Sequence, residues 1–431
     1  MSSPKNKQKS DFKMTKGYLK TLLKCISNVY DFGKKINSLR DKRKNTRIST
    51  KAIAISLIIG FMLSIRSFNK LDDYLENKDF RKIVPKKMKL PRIGAIRDSL
   101  KTFEINGLVR VHDEILKKSK ENKLYRNGTI DGLKVVALDG VELFESTKKS
   151  CPNCLTRMIN KVPHYYHKSV VAGYVGTDPH LVLGQEMLKP KHDSSSCKGE
   201  GELTAAKRLI NELYQKHHKF ADVIVYDAIA CNAPWINHIK QHTMEAVVRV
   251  KDERLNIVKD ALGLFKTREA DSFWEVQTKK NKITNICAWS ENIYMSGVKD
   301  DIRFVKFVED TIDLKTGEIV KTSEIWIITT AKNMSLETLR KIIHARWGIE
   351  NNIFRQLKNQ WHMDHCFIHH ENALEATLMF MIIAFNLMQL FFFRGLRNFR
   401  SRRLLQIEVI ERIILEIVSY RGKGKYIIDT S

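Results

Sequence analysis

The sequence predicts an α/β chain with a β-rich insertion, a basic helical region in front and apolar helices behind. Three observations predict it. Between residues 131 and 250, apolar runs and amphipathic stretches come in the order three strands, helix, strand, helix, strand. Residues 251–332 break into runs that alternate apolar and polar side chains. From Ser335 onward the apolar spacing returns to three and four, the period of a helix.

Residues 1–130 read as a basic helical region. The first fifty hold fourteen Lys and Arg against three Asp, with a cationic run, DKRKNTR, at 41–47. Such a run is a solvated tail, a non-specific phosphate contact, or both. PRIGAIRDSLKTFEINGLVRVHDEILKKSK (91–120) has a Pro start and two periodic pieces around Asn106-Gly107. A helix–turn–helix and two ordinary packed helices fit it equally well.

The segment 131–250 opens with LKVVAL (133–138), a buried strand ending at Asp139-Gly140. SVVAGYV (169–175) and HLVLGQEM (180–187) are the next two strands, and ELTAAKRLINELYQKH (202–217) is an amphipathic helix with Glu202 in its first turn. VIVY (223–226) is a buried strand ending at Asp227; a short helix near 235–240 and the strand AVVRV (246–250) complete the unit. In 251–332 the alternating runs are FWEVQT, NICAW, IRFVKFV and EIWIITT. Residues 333–396 return to helix, and 397–431 form a basic amphipathic helix and tail.

A net charge of +27 over 431 residues implies a polyanionic partner, nucleic acid first and an anionic membrane second. Seven Cys without regular spacing make no disulfide framework, which fits a reducing cytosol. The opening MSSPKNKQKS lacks the apolar core of a secretory signal. AIAISLIIGFMLSI (52–65) is too short to span a bilayer; LEATLMFMIIAFNLMQLFFF (374–393) approaches that length but carries Glu375, Asn386 and Gln389. It reads as a core helix, and no membrane partner is expected.

HARWGIENNIFRQLKNQW (344–361) reads as one amphipathic helix. Ile349, Ile353, Phe354, Leu357 and Trp361 make its apolar stripe, while Arg346 and Glu350 sit one turn apart on one face, with Lys358 two turns further. Alone this is an ordinary surface pair, worth a few tenths of a kcal/mol. Asp139 and Asp227, each closing an apolar strand, change its meaning. A lone Asp there is usually a turn former or cap. Three converging carboxylates repel one another unless cations neutralise them, and two magnesium ions about 3.5–4 Å apart would do so. Manganese would substitute at oxygen-only ligands.

ALDGVELFES (137–146), VIVYDAIACNAPWI (223–236) and ARWGIENNIFRQLK (345–358) resemble the three acidic motifs of DDE insertion-sequence transposases. The likeness is to the branch with a Tyr-x2-Arg-x3-Glu-x6-Lys signature and a β-strand insertion before the Glu, and it covers roughly residues 90–395. It implies an RNase H-like core and magnesium-dependent cleavage and strand transfer on double-stranded DNA, at element ends and target. It also implies a homodimer in the DNA complex and a bacterial-type cytosolic location at the nucleoid. By position, Asp139, Asp227 and Glu350 fall on the catalytic triad, and Arg346 on the Arg that grips DNA near the scissile phosphate. His344, Arg249, Lys251 and Lys358 are the remaining candidate DNA contacts. Ile343 stands where the signature has Tyr. Lys358 comes one residue late, with Leu357 in the expected place, so a straight helix would rotate it by about 100°. Glu202 resembles a Glu at the start of the family's intervening helix, although an N-terminal helix cap is the simpler reading.

Cys151-x2-Cys154 and His164-x2-His167 have the spacing of a structural zinc loop. Against it, an extended chain would point His164 and His167 to opposite faces. Trp235, Trp274, Trp289 and Trp326 are core residues by default, or a stacking partner for a flipped base. The alternatives to a transposase are an RNase H-like nuclease that cuts without joining and a domesticated DNA-binding protein; the three intact carboxylates argue against the latter.

Overall fold

The computed structural model describes residues 17–44, 46–77, 79–190, 199–279 and 281–419. The extreme basic N-terminus and the end of the C-terminal tail lie outside them.

Ten strands form one continuous sheet: β1 (Val135–Ser146), β2 (Leu155–Ile159), β3 (Val162–Tyr174), β4 (Val182–Met187), β5 (Val223–Tyr226), β6 (Glu245–Val250), β7 (Ser272–Lys279), β8 (Lys282–Ile293), β9 (Ile302–Asp313) and β10 (Ile319–Thr329). β3 lies antiparallel to β1 and carries both β2 and β4 on its other edge. β5 joins β1 in parallel, and β6 joins β5 in parallel. Helices Glu202–His217 and Ala233–Gln241 make the crossovers. This mixed sheet is the RNase H-like core that the resemblance implies. β5 is the buried apolar run VIVY with all four residues enclosed, as a strand covered on both faces requires.

The insertion does not stand apart. β10 pairs antiparallel with β6, and β9, β8 and β7 follow in order, so the core sheet simply continues outward. All four alternating runs of the sequence are strands. A helix, Asn256–Phe265, which alternation alone did not suggest, packs against β8.

Several boundaries move, and β2, which the three-strand reading lacked, pairs with a β3 that begins at Val162 rather than Ser169. β1 does not stop at Asp139 but runs on to Ser146, because β3 continues to pair with it after β5 has ended. In the front region the helices are Ile93–Lys101 and Ile105–Glu121, broken at residues 102–104 rather than at Asn106-Gly107. Gly107 is buried within the second helix, and both helices pack on Glu371–Leu390. That favours ordinary packed helices over a helix–turn–helix.

Glu371–Leu390 is the central core helix. With the π-helical turn Phe391–Gly395 it is long and apolar enough to cross a membrane, yet nearly all of it is buried inside the protein. Its polar residues serve as internal contacts. Asn386 Oδ1 accepts from the Val182 N–H at 2.9 Å, its Nδ2 donates to the Val182 carbonyl at 2.7 Å, and His112 Nε2 lies 2.9 Å from the same amide nitrogen. Gln389 Nε2 donates to Gln356 Oε1 at 2.9 Å, tying this helix to the one that carries Glu350.

Asn386→Leu should therefore destabilise the fold by about 2 kcal/mol or more, since the β4 backbone and His112 lose a buried partner. Urea denaturation checks this, with a loss under about 0.5 kcal/mol contradicting it.

Candidate active site

β1, β5 and β6 set three of the candidate side chains in a row. Ala137 pairs with Val225, and Tyr226 with Val248. Carried just past the last paired rungs, these registers align Asp139 with Asp227 and Asp227 with Arg249. Aligned residues on neighbouring strands share a face and sit about 4.8 Å apart along the hydrogen-bonding direction.

The helical segment Leu336–Asn359 lies across that face, packing on β1, β3, β5 and β6. Ser335 caps its start, its hydroxyl accepting from the Thr338 N–H. Ile349, Ile353, Phe354, Leu357 and Trp361 are all buried, as the stripe predicts. Glu350 is exposed on the upper side.

Arg346 joins the parts. Its Nη1 is 3.1 Å from Glu350 Oε1 and 3.9 Å from Asp139 Oδ2, so these two oxygens lie within the combined length of the two contacts. The residue is only 4% exposed. It is thus a buried counter-ion, not the open phosphate grip expected from the sequence. Its guanidinium lies over the Trp347 ring at 5.6 Å, and Arg249 lies over the same ring at 5.3 Å. Lys251 Nζ is 3.8 Å from Asp227 Oδ2, while Asp227 Oδ1 accepts from the Ile229 N–H at 3.0 Å. Asp227 is therefore a turn cap and a site carboxylate together. Trp347, not among the four tryptophans singled out from sequence, lies beside both guanidiniums, and Trp235 is wholly in the core.

Asp139 carries the electrostatic cost of the arrangement. Burial first, then the charges of Glu350 and Glu202, push its pKa up to about 7, against the opposing pull of the Gly140 N–H and Arg346. A carboxylate so destabilised in its charged form is suited to receive a cation. The donors are oxygen only, the chemistry of a hard divalent ion.

Glu202 does not cap its helix, whose N-cap is Gly201 with no side-chain cap bond. Its Oε1 accepts from Tyr226 Oη at 2.8 Å and its Oε2 pairs with Lys168 Nζ at 2.6 Å. Tyr226 and Gly140 point to the face opposite Asp227 and Asp139, so Glu202 underlies the row through the sheet. A Cβ on Gly140 would stand 2.4 Å from Glu202 Oε2, which is why glycine follows Asp139.

Two sequence expectations change, and the reading of Ile343 stands. His344 Nε2 lies 2.7 Å from Glu309 Oε1, which also accepts from Arg340 Nε at 2.8 Å, so its imidazole is held by a protein carboxylate. Ile343 is in the core and makes no contact of the signature-Tyr kind. Lys358 is not rotated away: Ile349–Phe354 is a π-helical turn, and its extra residue takes up the extra residue in the sequence. Counted through that turn, Lys358 shares the Glu350 face, while Leu357 is buried in the core.

In the Cys/His stretch, Cys151, Cys154 and His167 do come together, but His164 does not. It lies on the other side of β3, paired with Glu145. The fourth group is His369, a partner no local spacing could reveal.

Residues 152–387 match the sequence profile of the family described as "Transposase DDE domain". That span contains Asp227 and Glu350; Asp139 lies just ahead of it. Among solved structures, one similar chain is the piggyBac transposase in a synaptic complex with hairpin DNA, at 10% identity, covering 95% of this chain and 82% of that one, with a TM-score of 0.44. Another is the NurA nuclease from Sulfolobus solfataricus, at 13% identity, covering 56% and 82%, with a TM-score of 0.24. No curated protein matches.

The raised pKa of Asp139 has a definite sign for stability. Folding favours the protonated acid, so the charged form costs stability above about pH 7, and the cost fades as the pH falls through 7 to the ordinary carboxylate range near 4. In EDTA, Asp139→Asn should thus be more stable than the wild type at pH 8, by on the order of 1–3 kcal/mol, with the difference shrinking towards pH 4. Urea titrations across that range measure it, and a pH-independent difference would contradict the assignment.

Proposed function

This chain belongs to the transposase DDE domain family, and we propose that Asp139, Asp227 and Glu350 are the carboxylates with which it cuts and joins DNA. A DNA transposase of this family cleaves DNA and transfers strands with divalent metal ions. What supports the residue assignment is the register that aligns two aspartates on adjacent parallel strands, beneath a helix whose Glu350 is linked to Asp139 through Arg346.

By this reading the three carboxylates hold magnesium, with manganese able to substitute, since all donors are oxygen. When bound, the metal activates the attacking oxygen, water or a DNA 3′-hydroxyl, and stabilises the leaving one. Arg346 limits the mutual repulsion of Asp139 and Glu350 and holds both in place. Arg249, Lys251 and Lys358 border the carboxylates and supply the positive field that draws in the strand. The net charge of +27 extends that field over the whole protein. The substrates are the element's inverted-repeat ends and a target duplex, taken by a homodimer in a bacterial-type cytosol.

Asp139→Asn, Asp227→Asn and Glu350→Gln should each lower cleavage of a supercoiled donor by at least about 1,000-fold while leaving end binding nearly intact. Near-normal cleavage by any one of them removes that residue from the triad. Joining of the cut end to a target plasmid separates a transposase from a nuclease that only cuts.

Lys358→Ala should weaken end binding and reduce the slope of log affinity against log salt by about one unit. An unchanged slope would mean that the π-helical turn does not bring this lysine to phosphate.

A further inference from the structure

Cys151, Cys154, His167 and His369 form a cluster apart from the carboxylates. Their ligand atoms all lie within 4.8 Å of one another. The two sulfurs are 3.6 Å apart, His167 Nε2 is 3.3 Å from each sulfur, and His369 Nε2 is 3.3 Å from Cys154 Sγ. Tetrahedral zinc with ordinary bond lengths sets sulfurs about 3.8 Å apart and a sulfur and nitrogen about 3.6 Å apart. Hydrogen bonds do not explain the cluster as well. Cys154 Sγ faces Cys151 Sγ and both imidazole nitrogens, and also accepts from the Cys151 N–H at 3.2 Å, yet a thiol has one proton to give. One cation at the centre satisfies all four groups.

We propose that these four residues bind a structural zinc ion that clamps the far end of the catalytic sheet to the segment following the Glu350 helix. Two thiolates and two imidazoles suit zinc rather than magnesium, and four protein ligands leave no open position for chemistry. A two-iron cluster, which spreads its ligands over two metal atoms, does not fit donors this close together.

The placement gives the ion a task. Cys151 and Cys154 lie in the link between β1 and β2, and His167 is in β3 on the same face as Asp139, counting by twos from Val171, the β3 partner of Asp139. His369 belongs to the segment between Trp361 and the core helix. Phe144 packs on both imidazoles, with centroids at 5.6 Å and 5.2 Å. The zinc thus ties the strand that carries Asp139 to the exit of the helix that carries Glu350, at a distance from both carboxylates.

The test is the metal content of the full chain, purified without chelator and dialysed. Wild type should hold about one zinc per chain, Cys154→Ser and His369→Ala less than about one tenth, and His369→Cys about one. His164→Ala and Asp227→Asn should keep their zinc, which separates the site from the neighbouring imidazole and from the carboxylates. Cobalt(II) in place of zinc should show the intense d–d bands of a tetrahedral site and a thiolate charge-transfer band. Hydrogen exchange in 361–370 should quicken at least tenfold on zinc removal. Folded wild type with under about one tenth zinc per chain, or with another metal in stoichiometric amount, overturns the proposal. So does His164→Ala losing zinc as fully as His369→Ala.

Discussion

Like charges must be held together at this site, and most of the architecture near it serves that end. Asp139 and Asp227 come to one face because β1 and β5 are parallel neighbours in a fixed register. Glu350 comes from a helix laid across that face. The repulsion is visible in Asp139, whose acid is pushed up to about 7, burial first and the other carboxylates next. Arg346 is the internal answer: a buried guanidinium reaching both Asp139 and Glu350. Losing Arg346 would leave the half-buried Asp139 carboxylate facing Glu350 without a counter-ion, a larger effect than losing an exposed pair. A divalent cation held by these carboxylates, as proposed, would meet the same need from outside.

A carboxylate set of this kind works only if its members keep their places, and the helix carrying Glu350 is fixed from several sides. Its apolar underside fills the core through Ile349, Ile353, Leu357 and Trp361. Gln356 accepts a hydrogen bond from Gln389 of the central helix. Arg340 and His344 are anchored to Glu309, which they hold below the usual carboxylate range although burial opposes it. Glu309 belongs to β9, so the insertion supports the helix carrying Glu350 as well as extending the sheet. Beneath the sheet, Glu202, Lys168 and Tyr226 make a second polar layer that glycine at position 140 leaves room for.

Much of this was legible in the sequence, for physical reasons. Buried parallel strands are continuous apolar runs, and the amphipathic helix Glu202–His217 begins and ends where its pattern does. The three carboxylates were readable because two end apolar runs and one faces out of an apolar stripe. What was hidden depends on tertiary contacts. β1 runs past Asp139 because β3 pairs with it there, and no local pattern announces a partner strand. Gly107 looked like a helix break but is a small residue packed near Leu39 inside a helix. His164 and His167 were correctly suspected of facing opposite ways, yet the replacement, His369, is more than two hundred residues further along the chain.

The π-helical turn is the instructive case, because the sequence held its signal. Ile349, Ile353, Leu357 and Trp361 recur every four residues. In a straight α-helix such a repeat drifts by about 40° per step, so Leu357 would stand about 80° away from Ile349; Trp361 lies in the turn just past the helix end. All four are nonetheless fully buried. Burial of large apolar side chains contributes about 1.5–3 kcal/mol each, more than the roughly 1 kcal/mol lost with one helical hydrogen bond. The helix therefore takes the wider turn and keeps its stripe in the core. Counted through the same extra residue, Lys358 shares the Glu350 face. A lysine displaced by one position and an apolar repeat of four are one fact seen from the two sides of the helix.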